Sequence, residues 1–379
     1  MAQLDRESQE DVRVRRDLGT WKGGFFENVV ADIVDAGKEF EKQLAFEEKK
    51  RLFHEKNDYF FSEKVRYGFD MEFEEIDLRE FFDWIFDRSK LSFAYDFEEI
   101  QSEEYKVWKK HDEAGDAIDY ANEYSMWRYN PIVLYREKHN GKILNKHKLI
   151  LKDDEETLNF IEGRQFAISA PITYVGNSRY GKNARYLFAF AVDLDGVGMP
   201  QLRDLLFQQT LREGSKLERP YAPKANIIVN SGNGVHLYYL LEKPIPLYKE
   251  NIQALRKMKD YLTSLLWNEY TSTIENIQKQ GIFQGFRLPG TLTKFGEPIK
   301  AFHNVGSPYH TLSELNEFFS PYPDMRPLTE EEIRKIEGGD RKPSTMTLKA
   351  AEERYPEWYE RVVINGVRTP KKWQIKNDL

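Results

Sequence analysis

The chain has 379 residues, with 56 Lys and Arg against 63 Asp and Glu, a net charge of −7 and no cysteine. That length holds one to three domains and a sizeable core. The lack of Cys excludes a disulfide scaffold, a thiol nucleophile and a thiolate zinc site, and seven His alone make no case for zinc.

No apolar run approaches the roughly 18 residues of a membrane span, and the opening MAQLDRESQEDVRVRRDLG has no apolar signal core. The expectation is a soluble, cytoplasmic protein with no membrane partner. Charge is uneven along it. Residues 161–310 hold 18 Lys and Arg against 12 Asp and Glu, so a middle of +6 lies between flanks that together carry −13. A basic middle in an acidic chain fits an anionic ligand.

In chain order, residues 27–56 repeat Val30, Ile33, Phe40, Leu44 and Leu52 near helical spacing, and 69–90 place Phe81, Trp84 and Ile85 on one stripe, so both are expected as helices. Residues 129–138 and 148–152 are strand-like runs around an Asn-Gly turn, which predicts a hairpin. ARYLFAFAVDLDGV (184–197) is the strongest strand pattern. MPQLRDLLFQQTLREG (199–214) reads as a helix stopped by Gly214. ANIIVNSGNGVHLYYLLEKP (225–244) reads as two strands joined by Ser-Gly-Asn-Gly, and 248–272 as a helix with Ile252, Leu255, Met258 and Leu262 in its stripe. Residues 329–360 look helical after a capping-type Thr329.

This order predicts an α+β fold. A split β-α-β (RRM-like) core with an antiparallel sheet is flanked by helical N-terminal and C-terminal segments, one sheet face being free for a ligand. The expected division is 1–127, a mostly helical acidic region; 128–321, the catalytic core; and 322–379, a linker and helical segment.

Three constellations carry chemistry. Asp193 and Asp195 stand two apart at the end of an apolar strand, so both carboxylates project from one face. At about 4 Å they would repel by ~4 kcal/mol at an effective dielectric near 20, and a divalent cation relieves that with hard oxygen ligands. Acid-x-acid triplets are common in so acidic a chain; the apolar strand context singles this one out. The second is Ser231-Gly-Asn-Gly-Val-His236, a turn whose glycines let backbone N–H groups approach an anion, with His236 as a hydrogen-bonding side chain. The third is Phe286-Arg287-Leu-Pro-Gly-Thr-Leu-Thr-Lys294. Arg287 in an apolar run calls for an anion or an ion-pair partner, and Lys294 and Lys300 continue the positive line.

In this order and spacing, AFAVDLDGV, SGNGVHLYY and FRLPGTLTK together resemble three motifs of the archaeo-eukaryotic primase superfamily, specifically the primase-polymerases of plasmids, phages and mobile elements. The resemblance covers residues 160–310 well and 128–320 loosely. It implies a DNA primase or DNA polymerase that works on a single-stranded DNA template with nucleoside triphosphates and Mg²⁺ or Mn²⁺. Asp193 and Asp195 would hold the metal ions, Ser231 and His236 would contact the triphosphate, and Arg287 and Lys294 would bind phosphate. Arg179, Lys182 or Arg185 of the basic loop 177–185 would touch nucleotide or template, and a replicative helicase would be a partner. The family's third acidic residue has no clean counterpart. Glu275, twelve residues before Arg287, is carried as that catalytic and metal-binding position, ahead of Asp260 and Glu269, with Gln284 or water as a substitute.

Two readings of other classes stand beside this. A non-catalytic replication or defence component would bind nucleotide or DNA without turnover, and an Asp-x-Asp glycosyltransferase would select sugar nucleotides and need no template. A rolling-circle nickase is disfavoured, because the hairpin offers one His where two are expected.

Overall fold

A computed structural model describes residues 41–91, 129–211, 219–337 and 356–360. The described residues up to Leu328 form one compact unit and those from Thr329 a second. The second holds α8 (Glu330–Ile336) and α9 (Pro356–Tyr359). Thr329 and Glu332 close a reciprocal capping box at the start of α8. No helix among the described residues is long and apolar enough to cross a membrane.

The first unit is α+β. Ten strands form one antiparallel sheet: β1 (Phe73–Ile76), β2 (Asn130–His139), β3 (Lys142–Leu149), β4 (Ala167–Ser169), β5 (Ile172–Tyr174), β6 (Ala184–Leu194), β7 (Ile227–Asn230), β8 (Val235–Pro246), β9 (Phe286–Arg287) and β10 (Lys300–Asn304). Their order is β1-β10-β7-β8-β6-β5-β2-β4-β9, with β3 paired to β2 outside that path. The helices of this unit are α1 (residues 41–60), α2 (Glu63–Gly68), α3 (Leu78–Phe86), α4 (Glu155–Ile161), α5 (Met199–Gln208), α6 (Lys249–Leu266) and α7 (Leu312–Glu317).

The expected split β-α-β unit is present. β6 and β7, joined by α5, run parallel with β8 between them. A second such unit interleaves with it, because β8 and β10 flank β7. The free side of β6 is taken by β5, not by the final strand.

Three expectations need correction. Residues 69–90 are not one helix: Phe73–Ile76 is a strand on β10, and Asp77 with Glu80 forms a capping box that starts α3 only at Leu78. The capping box fixes an extended N-cap, so the residues before it are free to pair. The helix after Met199 ends at Gln208, before Gly214 is reached. The ligand face of the sheet is also not open along its length. Ala191 and Asp193 of β6 sit opposite Tyr238 and His236 of β8, and most of this face is buried in a cluster with Phe81, Phe82 and Phe86 of α3, Leu158 and Ile161 of α4, and Phe286 of β9. At the end carrying the carboxylates, Asp193 and Asp195 are half-buried.

The stripe of α6 (Leu255, Met258, Leu262) is buried as expected and packs against β6. Of the expected helix 27–56, residues from 41 are helical and the earlier ones lie outside the described residues. Of the helix expected over 329–360, Glu330–Ile336 and Pro356–Tyr359 are helical and 338–355 lie outside.

Candidate active site

All eleven positions of β6 are buried or half-buried, and the strand ends on Asp193-Leu194 with Asp195 next in the chain. Leu194 points into the core at 0% exposure, so the two flanking carboxylates share the opposite face. Asp193 lies directly across from His236 in the β6–β8 ladder, and its Oδ1 is 3.5 Å from His236 Nε2. The turn between β7 and β8 is pressed against the end of β6. A Cβ added at Gly234 would lie 2.2 Å from the Leu194 carbonyl oxygen and 3.0 Å from Asp195 Cα, so glycine alone fits there. Gly232 holds φ +116°, again a glycine conformation.

Burial governs the electrostatics. It raises the Asp193 carboxyl to about 6, against the pull of Lys259. Asp195 is raised by burial and by the neighbouring Asp193 charge, partly offset by Gln278, whose Nε2 donates to Oδ2 at 3.3 Å. His236, 3% exposed, is pushed down to about 3 by burial, so it is neutral at physiological pH. Its Nδ1 has no hydrogen-bond partner among the described residues. Two carboxylates strained toward their neutral forms, beside a neutral imidazole, are a donor set that a divalent cation relieves. Mg²⁺ is commonly held by one or two carboxylates with substrate phosphates and water completing the shell, so the residues present fit such an ion.

Glu275 is exposed in the loop after α6. Among the described residues no group of three His, Asp or Glu side chains is placed to hold a metal ion. The same loop grips the pair by other means. Gln280 accepts from the Asp193 N–H at 2.9 Å and donates to its carbonyl at 2.6 Å, and the Ser272 hydroxyl donates to the Asp195 carbonyl at 2.7 Å. Gln284 sits in a turn closed on Gly281.

The cations fall into two groups. Arg287 is half-buried, and its guanidinium donates to the carbonyls of Gln165 (2.9 Å) and Leu292, which are neutral partners rather than an ion pair. Its Nε is buried with no partner among the described residues, its charge helps depress His236, and burial lowers its own affinity for a proton. Lys294 is exposed and acts electrostatically on Asp195. The charges of these two reach His236 and Asp195, and Ser231 is half-buried at the head of the turn. Lys300 does not continue this line, because it pairs with Glu75 of β1. Arg179 donates to the Phe283 carbonyl at 2.7 Å and packs against Gly285, bracing the loop before β9. Lys182 and Tyr180 beside it are exposed.

Two lysines were missed. Lys56 of α1 is 0% exposed and donates to the carbonyls of Gly232 (2.7 Å) and Gly234 (3.4 Å), which fixes the turn from behind. Lys259 of α6 is 2% exposed, donates to the Gly281 carbonyl at 2.9 Å and lies 5.0 Å from the Phe286 ring centroid. Burial brings each down to about 7. The signal was legible, since Phe53-Lys56-Phe60 and Leu255-Lys259-Leu262 put each lysine on the apolar stripe of its helix.

No protein-family profile matches the chain, and no curated protein matches it. Among solved structures it is similar to the AEP domain of the cyanophage S-2L primase-polymerase, with 12% identity over 52% of this chain and 95% of that one and a TM-score of 0.32. A superposition that loose carries no inference about this chain's chemistry.

Proposed function

We propose that this protein is a template-directed nucleotidyltransferase, a DNA primase or DNA polymerase that acts on single-stranded DNA in the replication of a mobile element. The observation that carries the reading is the juxtaposition of the Asp193/Asp195 strand end with the His236 hairpin, at 3.5 Å between Asp193 and His236, with Arg287 and Lys294 in electrostatic reach. Asp193 and Asp195 would hold Mg²⁺ or Mn²⁺. Such ions lower the pKa of an attacking 3′-hydroxyl and stabilise charge on the transferred phosphoryl group. The turn 231–234 would offer its N–H groups and the Ser231 hydroxyl to the triphosphate, and neutral His236 would contribute a hydrogen bond without charge. Arg287 and Lys294 would balance the phosphates. The chain supports this as a site for an anion and a cation together, which a purely structural hairpin does not require.

The deciding assay is template-directed synthesis on single-stranded DNA with Mg²⁺ or Mn²⁺, with NTPs or dNTPs, primed and unprimed. Product from the wild type that disappears in Asp193→Ala/Asp195→Ala is the expected result. No product under any condition, from folded protein that still binds nucleotide, refutes it. The exposure of Glu275 favours that second reading, a nucleotide- or DNA-binding component without turnover.

A further inference from the structure

The β2–β3 ribbon was expected only as a hairpin, and the site described above makes no use of it. Its turn, Asn140-Gly141 with φ of 47° and 76°, is of the type that matches strand twist. β3 pairs with β2 alone, and the β2–β4 pairing ends at Tyr135, so beyond it the ribbon stands out from the sheet, exposed from Arg136 to Lys146. It carries five Lys and Arg against one Glu within 130–149. None of Arg136, Lys138, Lys142 and Lys146 has a carboxylate partner among the described residues. The ribbon thus carries a net charge of +4 in a chain whose total is −7.

The two faces of the ribbon differ. Register puts Arg136 and Lys138 on one face with Ile143, Asn145 and His147, and Lys142, Lys146 and Lys148 on the other. The first face leads to Arg287, whose charge is felt at His236. Leu134 pairs with Ile168 of β4, and Ile168 with Arg287 of β9. The guanidinium carbons of Arg136 and Arg287 lie 4.1 and 5.4 Å from the centroid of one ring, Phe166. His147 meets the exposed Tyr180 edge-on at 6.1 Å. Two guanidiniums share one aromatic ring with no anion between them, and a second ring is 59% exposed nearby. From the level of Leu134 this face runs on about 20 Å to the turn at ~3.3 Å per residue.

We propose that the Arg136/Lys138 face of the ribbon, with Phe166 and Tyr180, is a track for single-stranded nucleic acid that leads to Arg287 at the candidate site. The inference rests on the nucleotidyl-transfer reading for its destination but not for its chemistry. Spaced cations meet the phosphates, and rings of any orientation accept unpaired bases.

The test is anisotropy of a fluorescein-labelled oligothymidylate over a salt series, with Mn²⁺-dependent stabilisation by dATP measured in parallel. Arg136→Ala/Lys138→Ala, with an unchanged thermal midpoint, should weaken oligonucleotide binding and flatten the log–log salt slope by about 1.4, at ~0.7 per lost phosphate contact. Tyr180→Ala should weaken binding about tenfold and leave the slope alone. The control Lys142→Ala/Lys146→Ala, on the other face, should do less. Wild-type affinity and slope in the Arg136/Lys138 variant, equal losses from both faces, or tighter binding to anionic vesicles than to the oligonucleotide would each overturn the track. Ribbon-dependent oligonucleotide binding without any nucleotide binding would uphold the track and sink the nucleotidyl-transfer reading.

Discussion

Lys56 offers a pH signature that few residues give. Its ammonium is fully buried behind the 231–234 turn, and burial alone, with no carboxylate to offset it, brings it from 10.5 to about 7. Between about pH 7 and 10 the unfolded chain therefore keeps a proton that the folded chain has released. Stability then rises with pH, and each pH unit in that window adds about 1.4 kcal/mol. The neutral amine still donates to Gly232 and Gly234. Lys56→Met removes both the titration and the donor. Near pH 7 the lost hydrogen bonds, about 1–3 kcal/mol where acceptors are left unpaired, are outweighed by the relief of a charge that costs about 4 kcal/mol there, and the variant should be at least as stable as wild type. By pH 9.5 most of that cost has gone from the wild type, and the variant should have lost about 3 kcal/mol relative to wild type compared with pH 7. Denaturant unfolding from pH 7 to 9.5, below tyrosine ionisation, measures this. Lys259 supplies a similar rise in both proteins, so the difference between them isolates Lys56. A difference that does not change with pH would refute the buried, proton-releasing lysine.

Three further outcomes are expected. Gly234→Ala drives a methyl into the Leu194 carbonyl, so the turn must leave β6; nucleotide binding by titration should fall at least tenfold, and wild-type affinity would show that the turn is not the triphosphate cradle. Asp193→Asn removes a carboxylate that burial holds near its neutral form. It should raise the thermal midpoint at pH 8 without metal and abolish the upward shift that Mn²⁺ gives the wild type, and a retained Mn²⁺ shift would exclude Asp193 as a ligand. Glu275→Gln should leave that Mn²⁺ shift unchanged, because the side chain is exposed and makes no metal-holding group with the pair among the described residues. A tenfold loss of metal affinity would restore it as the third ligand.

Local order was readable where periodicity and turn chemistry agreed. The strand ending at Asp195, the glycine hairpin before His236, the Asn140-Gly141 turn and the α6 stripe all follow from apolar spacing and φ-permissive residues. The Phe73–Ile76 strand was hidden because Phe73 and Ile76 are three apart, as on a helix; the Asp77/Glu80 capping box was the signal against it. The burial of Lys56 and Lys259 was passed over because lysine reads as surface, although each interrupts an apolar stripe. Arg287 was read as needing an anion, yet backbone carbonyls take two of its bonds. Which strand lies beside which was not legible. The pairing of β1 with β10 depends on chain closure over more than two hundred residues and leaves no local trace.

The contact between Lys56 and Gly232 spans 176 positions of sequence. Asn230 likewise donates to the Phe53 carbonyl and to Asn57. The four-residue turn beside the carboxylates is thus held by a helix made long before it. Such non-local closure must be reached before its contacts repay the lost chain entropy, which slows folding. The order of synthesis puts α1 before the hairpin it holds, by 176 positions at Lys56 and Gly232. A fragment begun at β2 would lack Lys56 and leave the Gly232 and Gly234 carbonyls without that donor beside the carboxylates.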